Sequence, residues 1–199
     1  MTARFYAGLA PWFVFAVVTR TSGQGPLWAA VAALGAAIAV VVWQSGFESA
    51  TMLNIAAIAL FAGLAVAGLV ADPDHLQAFG RAYAAGGLTL VAFGSLAAKP
   101  FVGHYTKDLV PADRLTSERF RMANRAITGI WAVAFGAITA SFVVAAVIGT
   151  AVAATVFNWL VPAAVAVTAM TKASARWDED FHPGDESDAF DSLRDVLGT

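Results

Sequence analysis

The sequence predicts an all-α protein: a polytopic transmembrane helical bundle of six helices, five if the first apolar segment does not span, with N-in/C-in topology. Three observations predict it. Hydrophobic residues make up 59% of the 199 residues and charged residues only 13%, whereas soluble domains sit near about 45–50% and 25%. The apolar residues gather in blocks of about 17–22, the length that crosses roughly 30 Å of hydrocarbon at about 1.5 Å per residue. Finally, Lys99, Lys107, Arg114, Arg119, Arg121 and Arg125 crowd one central polar stretch, half of the 12 Lys and Arg in the chain.

The first segment, Phe5 to Val18, contains Pro11. Fourteen helical residues reach only about 21 Å, so it spans if Arg4 and Arg20 snorkel to opposite interfaces; otherwise it is interfacial or re-entrant. Thr19, Arg20 and Thr21 close the run with no small-x-small cleavage pattern, so the segment is expected to be retained. The next turn carries Gly23, Gly25 and Pro26.

Segment two, Leu27 to Trp43, has Trp28 and Trp43 at its ends as interface anchors. Segment three, from about Ala50 to Ala71, carries Ala59, Gly63 and Ala67 at four-residue spacing, a stripe that lets helix backbones approach closely. After the acidic turn Asp72 to His75, segment four runs from about Leu76 to Ala98. Segment five, roughly Ile127 to Thr150, has a second stripe at Ala132, Gly136 and Ala140, and segment six covers about Ala151 to Thr171. Residues 1–172 form the bundle, with a central cytoplasmic loop over 99–125, and residues 173–199 form an acidic cytoplasmic tail. Its last part has Phe190, Leu193 and Leu197 at helical spacing, but isolated helices this short are marginal in water, so disorder is expected.

Orientation follows from the basic residues. With the central loop inside, ten of the 12 Lys and Arg are cytoplasmic, Arg20 and Arg81 being the exceptions. A net charge of −2 gives no reason to expect nucleic acid. With no Cys there is no disulfide or thiol chemistry.

Arg81 is the strongly charged residue well inside a span, where a bare charge costs several kcal/mol. Two readings are open: an anion or coupling site in a helix-lined cavity, or snorkelling toward Asp72 or Asp74. Asn54, Asn124 and Asn158 are amides on segments three, five and six; they either bond between helices or line a path. A candidate polar path or ligand site is therefore Arg81, Asn54 and Asn158.

In the central loop, Phe101 and Tyr105 are expected at headgroup level, with Lys99 and Lys107 meeting lipid phosphates. Asp113 or Thr116 is expected to cap the next helix, placing Glu118 in its first turn. Arg114, Arg121 and Arg125 fall near one face, and either bind anionic lipid or a partner's acidic surface, or only enforce topology. With His104 and Asn124, these loop residues form a candidate interfacial or partner site. His75, His104 and His182 lie on three separate loops or tails with no metal-ligand spacing, so no metal or cofactor is expected. There is no Walker loop, GxGxxG or Ser/His/Asp arrangement; His104, Tyr105 and Asp108 are where an enzyme's site would be sought.

The order of features resembles the bacterial intracellular septation protein A family and its polytopic relatives. Those place K-P-(F/L) or R-P-F-T-x-x-Y after the fourth hydrophobic segment, and N-x-x-(I/W)-x-x-x-W at the start of the next. Lys99, Pro100, Phe101 and Tyr105 match the first element; Asn124, Ile127 and Trp131 match the second. The likeness covers roughly residues 8 to 172. The chain departs from it at Val102, where many relatives have Thr, and in a longer acidic tail from Asp178. The resemblance implies a multi-pass cytoplasmic-membrane protein of the cell envelope, acting through protein partners and without catalytic residues. The reading is thus a non-enzymatic accessory or scaffold protein, bound to lipid headgroups and to membrane-protein partners or a second copy. The alternative is a small channel or transporter.

Overall fold

The computed structural model describes residues 3–21, 25–44, 51–106, 110 and 115–181, and every regular element among them is helical. These are α1 (Ala3–Thr21), α2 (Pro26–Trp43), α3 (Met52–Val70), α4 (Pro73–Ala97), α5 (Gly103–Thr106), α6 (Glu118–Ile148), α7 (Ala151–Thr155), a π-helical turn (Val156–Leu160) and α8 (Val161–Phe181). Four stretches are long and apolar enough to cross a membrane: Pro26–Trp43, Met52–Val70, Glu118–Ile148 and Ala151–Glu179. The expectations for Lys107, Asp108, Asp113, Arg114 and residues 182–199 lie outside the described residues.

The first helix is longer than its apolar run. It has 19 residues with Pro11 inside it, a reach of about 28 Å. It packs along α2 and touches α3 and α4. Trp12 Nε1 donates to the Ala84 carbonyl at 3.0 Å, and the rings of Trp12 and Phe15 each lie 5.5 Å from that of Phe61.

Helix α2 turns an alanine face inward: Ala29, Ala30, Ala33 and Ala37 are buried at one-turn spacing, with Val41 closing the row. Such small side chains let α1 and α3 come close on either side. Helix α3 starts at Thr51, whose hydroxyl accepts from Asn54 N. The expected Ala59–Gly63–Ala67 stripe does not make its contacts: Ala59 and Gly63 are exposed, and a Cβ on Gly63 would meet nothing within 4 Å. The neighbouring face does, with Ala57, Phe61 and Leu64 buried and Gly68 set against Leu27 Cα, 3.0 Å from where its own Cβ would stand.

The second stripe is used in part. Ala132 is buried and Gly136 faces Thr89, while Ala140 is exposed. Gly86 lies opposite Thr139, and the Thr89 and Thr139 hydroxyls meet at 3.0 Å, joining α4 to α6.

The central loop is shorter than 99–125 because α6 begins at Glu118. Its N-cap is Ser117, not Thr116, and the Ser117 hydroxyl accepts from Phe120 N at 3.2 Å. Arg119, Arg121, Asn124 and Arg125 therefore ride on a helix of 31 residues, about 46 Å long, more than the roughly 30 Å of a hydrocarbon core. Gly149 closes it at φ 67, a left-handed position that Gly adopts without strain.

Thr150 caps α7, and Pro162 explains the irregular turn that follows. Proline has no N–H and its ring clashes with the carbonyl four residues back, here Asn158. The backbone answers by opening one turn, so that Val161 N bonds the Val156 carbonyl five residues back. The freed Phe157 carbonyl accepts from Ser141 Oγ at 2.6 Å. The helix does not stop near 171: α8 runs on to Phe181 beside the start of α6. Phe181 stacks on Trp177 at 4.4 Å and meets Phe120 edge-on at 6.2 Å.

Two cores result. One joins Phe15, the α2 alanines, Ala57, Phe61 and Ala84; the other joins Leu88, Phe101, Tyr105, Ile127, Trp131, Phe135 and Ala169. The outer surface is also apolar, with Val70 82% and Leu90 76% exposed. That suits a lipid environment, because soluble monomers rarely expose contiguous apolar area of this kind.

Candidate functional site

Polar side chains gather at the two ends of the bundle. The end that carries α5 is called here the loop end, and the other the far end.

At the loop end α5 is stitched to three helices. Phe101 N donates to Ser95 Oγ of α4 at 3.4 Å. The Tyr105 hydroxyl meets Thr51 Oγ1, the α3 cap, at 2.7 Å. Thr106 Oγ1 donates to Asn124 Oδ1 of α6 at 2.7 Å, and Asn124 Nδ2 donates back to its own Phe120 carbonyl at 2.8 Å. Beside them Asn54 Nδ2 donates to Gln44 Oε1 at 2.9 Å, both residues buried. Each of the groups just named has a partner, as buried amides and hydroxyls require.

This corrects the placement of two residues. Phe101 and Tyr105 are 1% and 4% exposed, so they plug the interior rather than lie at headgroup level. The reason is local: after Pro100 the chain folds back through the short α5 instead of running out along the surface. Burial pushes the Tyr105 hydroxyl up to about 12, the Thr51 contact opposing it. Its neighbour His104 is exposed, as are Lys99, Arg121 and Arg125. Phe101, Tyr105, Ile127 and Trp131, which matched two separate sequence elements, belong to one core. The signal that joins them is their helical spacing and apolar character, which mark a core better than an interface. A cavity of about 100 Å³ opens beside Val102, Thr106 and Trp177, smaller than the ~300–1,000 Å³ of small-molecule pockets.

At the far end Arg81 does not pair with Asp72 or Asp74. Asp72 caps α4 through Asp74 N, and Arg81 turns across to α1. Its Nε donates to Thr19 Oγ1 at 3.2 Å and its Nη2 to the Ala16 carbonyl at 3.3 Å. The same carbonyl also accepts from Thr19 Oγ1 at 3.0 Å. The Arg81 guanidinium carbon stands 5.7 Å from the centre of the Trp159 ring, and that of Arg20 stands 5.6 Å from the same ring. Trp159 sits on the π-helical turn next to Asn158, which is half-buried. The Trp159 Nε1 is buried without a hydrogen-bond partner.

The three residues expected to form one polar path are therefore divided. A Cβ on Gly8 of α1 would stand 3.6 Å from Asn54 Oδ1, whereas Arg81 bonds α1 at Ala16. Those positions are about 12 Å apart along the helix. Arg81 and Asn158 share the far end; Asn54 belongs to the loop end. Arg20 and Trp159 are the site residues that sequence reasoning missed. Their only signals were a basic residue closing the first apolar run and an indole inside the last one, three residues before Pro162.

Between α6 and α8 an open groove of about 640 Å³ is lined by Gly129, Val133, Ala137, Ala164 and Val165, with Lys172 at one end. Among the described residues no group of three or more His, Cys, Asp or Glu is placed to hold a metal ion. Searches for similar proteins give no family model, curated protein or solved structure that matches this chain.

Proposed function

We propose that the chain is a six-span, N-in/C-in protein of the cytoplasmic membrane that serves as a non-catalytic accessory or scaffold of the cell envelope, linked to septation. The loop end is then cytoplasmic. The link to septation rests on the resemblance of the Lys99–Tyr105 and Asn124–Trp131 elements to the septation protein A family. The observation that carries the accessory role is the packing of α5. Phe101, Val102 and Tyr105 are each buried to 4% exposure or less and tied to α3, α4 and α6, which closes the loop end with core side chains. The paired Arg119, Phe120, Trp177 and Phe181 ends of α6 and α8 project beyond the hydrocarbon thickness and offer a two-helix surface to a partner or a second copy.

The test combines two measurements. Purified protein in sealed vesicles is expected to pass no small ions above the protein-free rate, and cells lacking it are expected to show altered septum placement or envelope integrity. Flux through the wild-type protein, abolished in Arg81→Ala at equal expression, would instead establish the transporter reading.

A further inference from the structure

Two cations share one indole at the far end of the bundle. Arg20, from the last turn of α1, and Arg81, from the third turn of α4, both reach the ring of Trp159. Cation–π contact favours each guanidinium separately, but two like charges on one ring repel each other in a partly desolvated setting. Carboxylates are within sequence reach, since Asp72 and Asp74 precede Arg81 on the same helix. Among the described residues neither forms an ion pair with it, and Arg81 is held away from them by Thr19 Oγ1 and the Ala16 carbonyl. Those two bonds fix the guanidinium plane and occupy Nε and Nη2, which leaves Nη1 and, among the described residues, the Arg20 fork without a hydrogen-bond partner. The Trp159 Nε1 is a further buried donor with no acceptor. The π-helical turn forced by Pro162 is what places Trp159 here.

We propose that Arg20, Arg81 and Trp159 form a binding site for a phosphate group, taken either from an anionic phospholipid headgroup or from free phosphate. Guanidinium forks match the oxygens of phosphate bidentately, and a pair of them neutralises a charge that one would leave uncompensated. The depth suits a headgroup: Arg81 lies eight residues inside α4, about 12 Å from its start. Helix α4 spans 25 residues, about 37 Å, about 7 Å more than roughly 30 Å of hydrocarbon, so its first turn stands outside and the long Arg81 side chain has only about 5 Å left to cover to the headgroup level. The exposed His75 and Tyr83, bonded at 2.7 Å across the half-buried Phe79, mark the same level as an aromatic interface belt. The site goes beyond the accessory role and needs only that this end of the bundle meet a membrane surface.

The test uses the full chain, purified in detergent and then in vesicles of phosphatidylglycerol and phosphatidylcholine. Sodium phosphate is expected to raise the unfolding midpoint above that in sodium chloride of equal ionic strength, or native mass spectrometry is expected to find phosphatidylglycerol retained over phosphatidylcholine. The first result identifies free phosphate, the second the lipid headgroup. Arg20→Gln is the deciding variant because its side chain is exposed and, among the described residues, its one interhelical contact is with the Trp159 ring, with no side-chain hydrogen bond or ion pair to lose. It is expected to weaken whichever response is seen by at least about tenfold, the value of one charge-assisted hydrogen bond, with Arg20→Lys recovering part of it. No response from the wild-type protein, or an undiminished response from Arg20→Gln, overturns the assignment. Vesicle flux does not enter this readout, so its outcome and that of the accessory reading are separable.

Discussion

The hydroxyls of Tyr105 and Thr51 stand 54 positions apart in sequence and 2.7 Å apart in space. One is buried in the connection between the two halves of the chain; the other is the N-cap of α3. Through that bond the helix that starts the second hairpin and the loop that ends it hold each other in place.

Tyr105→Phe keeps the ring and removes the bond. It is expected to cost about 1 kcal/mol, seen as a lower midpoint in detergent unfolding, while Thr51→Ala costs more because the cap of α3 is lost as well.

The same residue gives an alkaline signature. Its folded value of about 12 lies above the usual 10.0, so the folded state holds its proton more tightly than the unfolded chain. The stabilisation is complete below about pH 10 and disappears as pH rises from there through about 12. A tyrosinate absorbance titration is expected to show one Tyr ionising late, and Tyr105→Phe to abolish that step. Ionisation of all Tyr near pH 10 in the folded protein would contradict the buried placement.

Gly68 and Gly63 make a paired test of which α3 face is in contact. Gly68→Ala places a Cβ about 3.0 Å from Leu27 Cα, and backbone cannot give way cheaply, so a loss of roughly 1–3 kcal/mol is expected. Gly63→Ala meets no neighbour and is expected to be neutral or to stabilise by up to about 1 kcal/mol through helix propensity. Equal destabilisation by both, measured by unfolding, would return the stripe to an interface.

Asn54 and Gln44 are expected to behave as a couple. Asn54→Leu removes the donor from the buried Gln44 carbonyl, and the double change with Gln44→Leu is expected to be less harmful than the sum of the two. The coupling in a double-mutant cycle should fall near about 0.6–1.7 kcal/mol, the range for hydrogen bonds between membrane helices.

Ser141→Ala is expected to free the Phe157 carbonyl on the π-helical turn, at a cost of about 1 kcal/mol. If Trp159 depends on that turn, the variant also weakens the phosphate response described above. An unchanged response with lowered stability would show that Pro162 alone positions the indole.

Composition and the length of the apolar runs were enough to establish a helical chain with membrane-length spans, because both are set by local chemistry: a bilayer tolerates only backbones that satisfy their own polar groups. The ends of α2, α3 and α4 were likewise legible to within a few residues: Leu27–Trp43, about Ala50–Ala71 and about Leu76–Ala98 were expected, against Pro26–Trp43, Met52–Val70 and Pro73–Ala97. What the sequence left open was which face of each helix turns inward. In apolar helices hydrophobic periodicity is weak on every side, so Ala59–Gly63–Ala67 looked as suited to packing as the Ala57, Phe61 and Leu64 face that does it. Long-range partners were equally out of reach. Arg81 had acidic neighbours at short sequence distance, yet the crossing of α1 over α4 offered it a carbonyl and a hydroxyl instead. Only the tertiary arrangement brought Arg20 and Trp159 to the same place, because a helix end and a proline-opened turn separated by more than a hundred residues have no local signal in common.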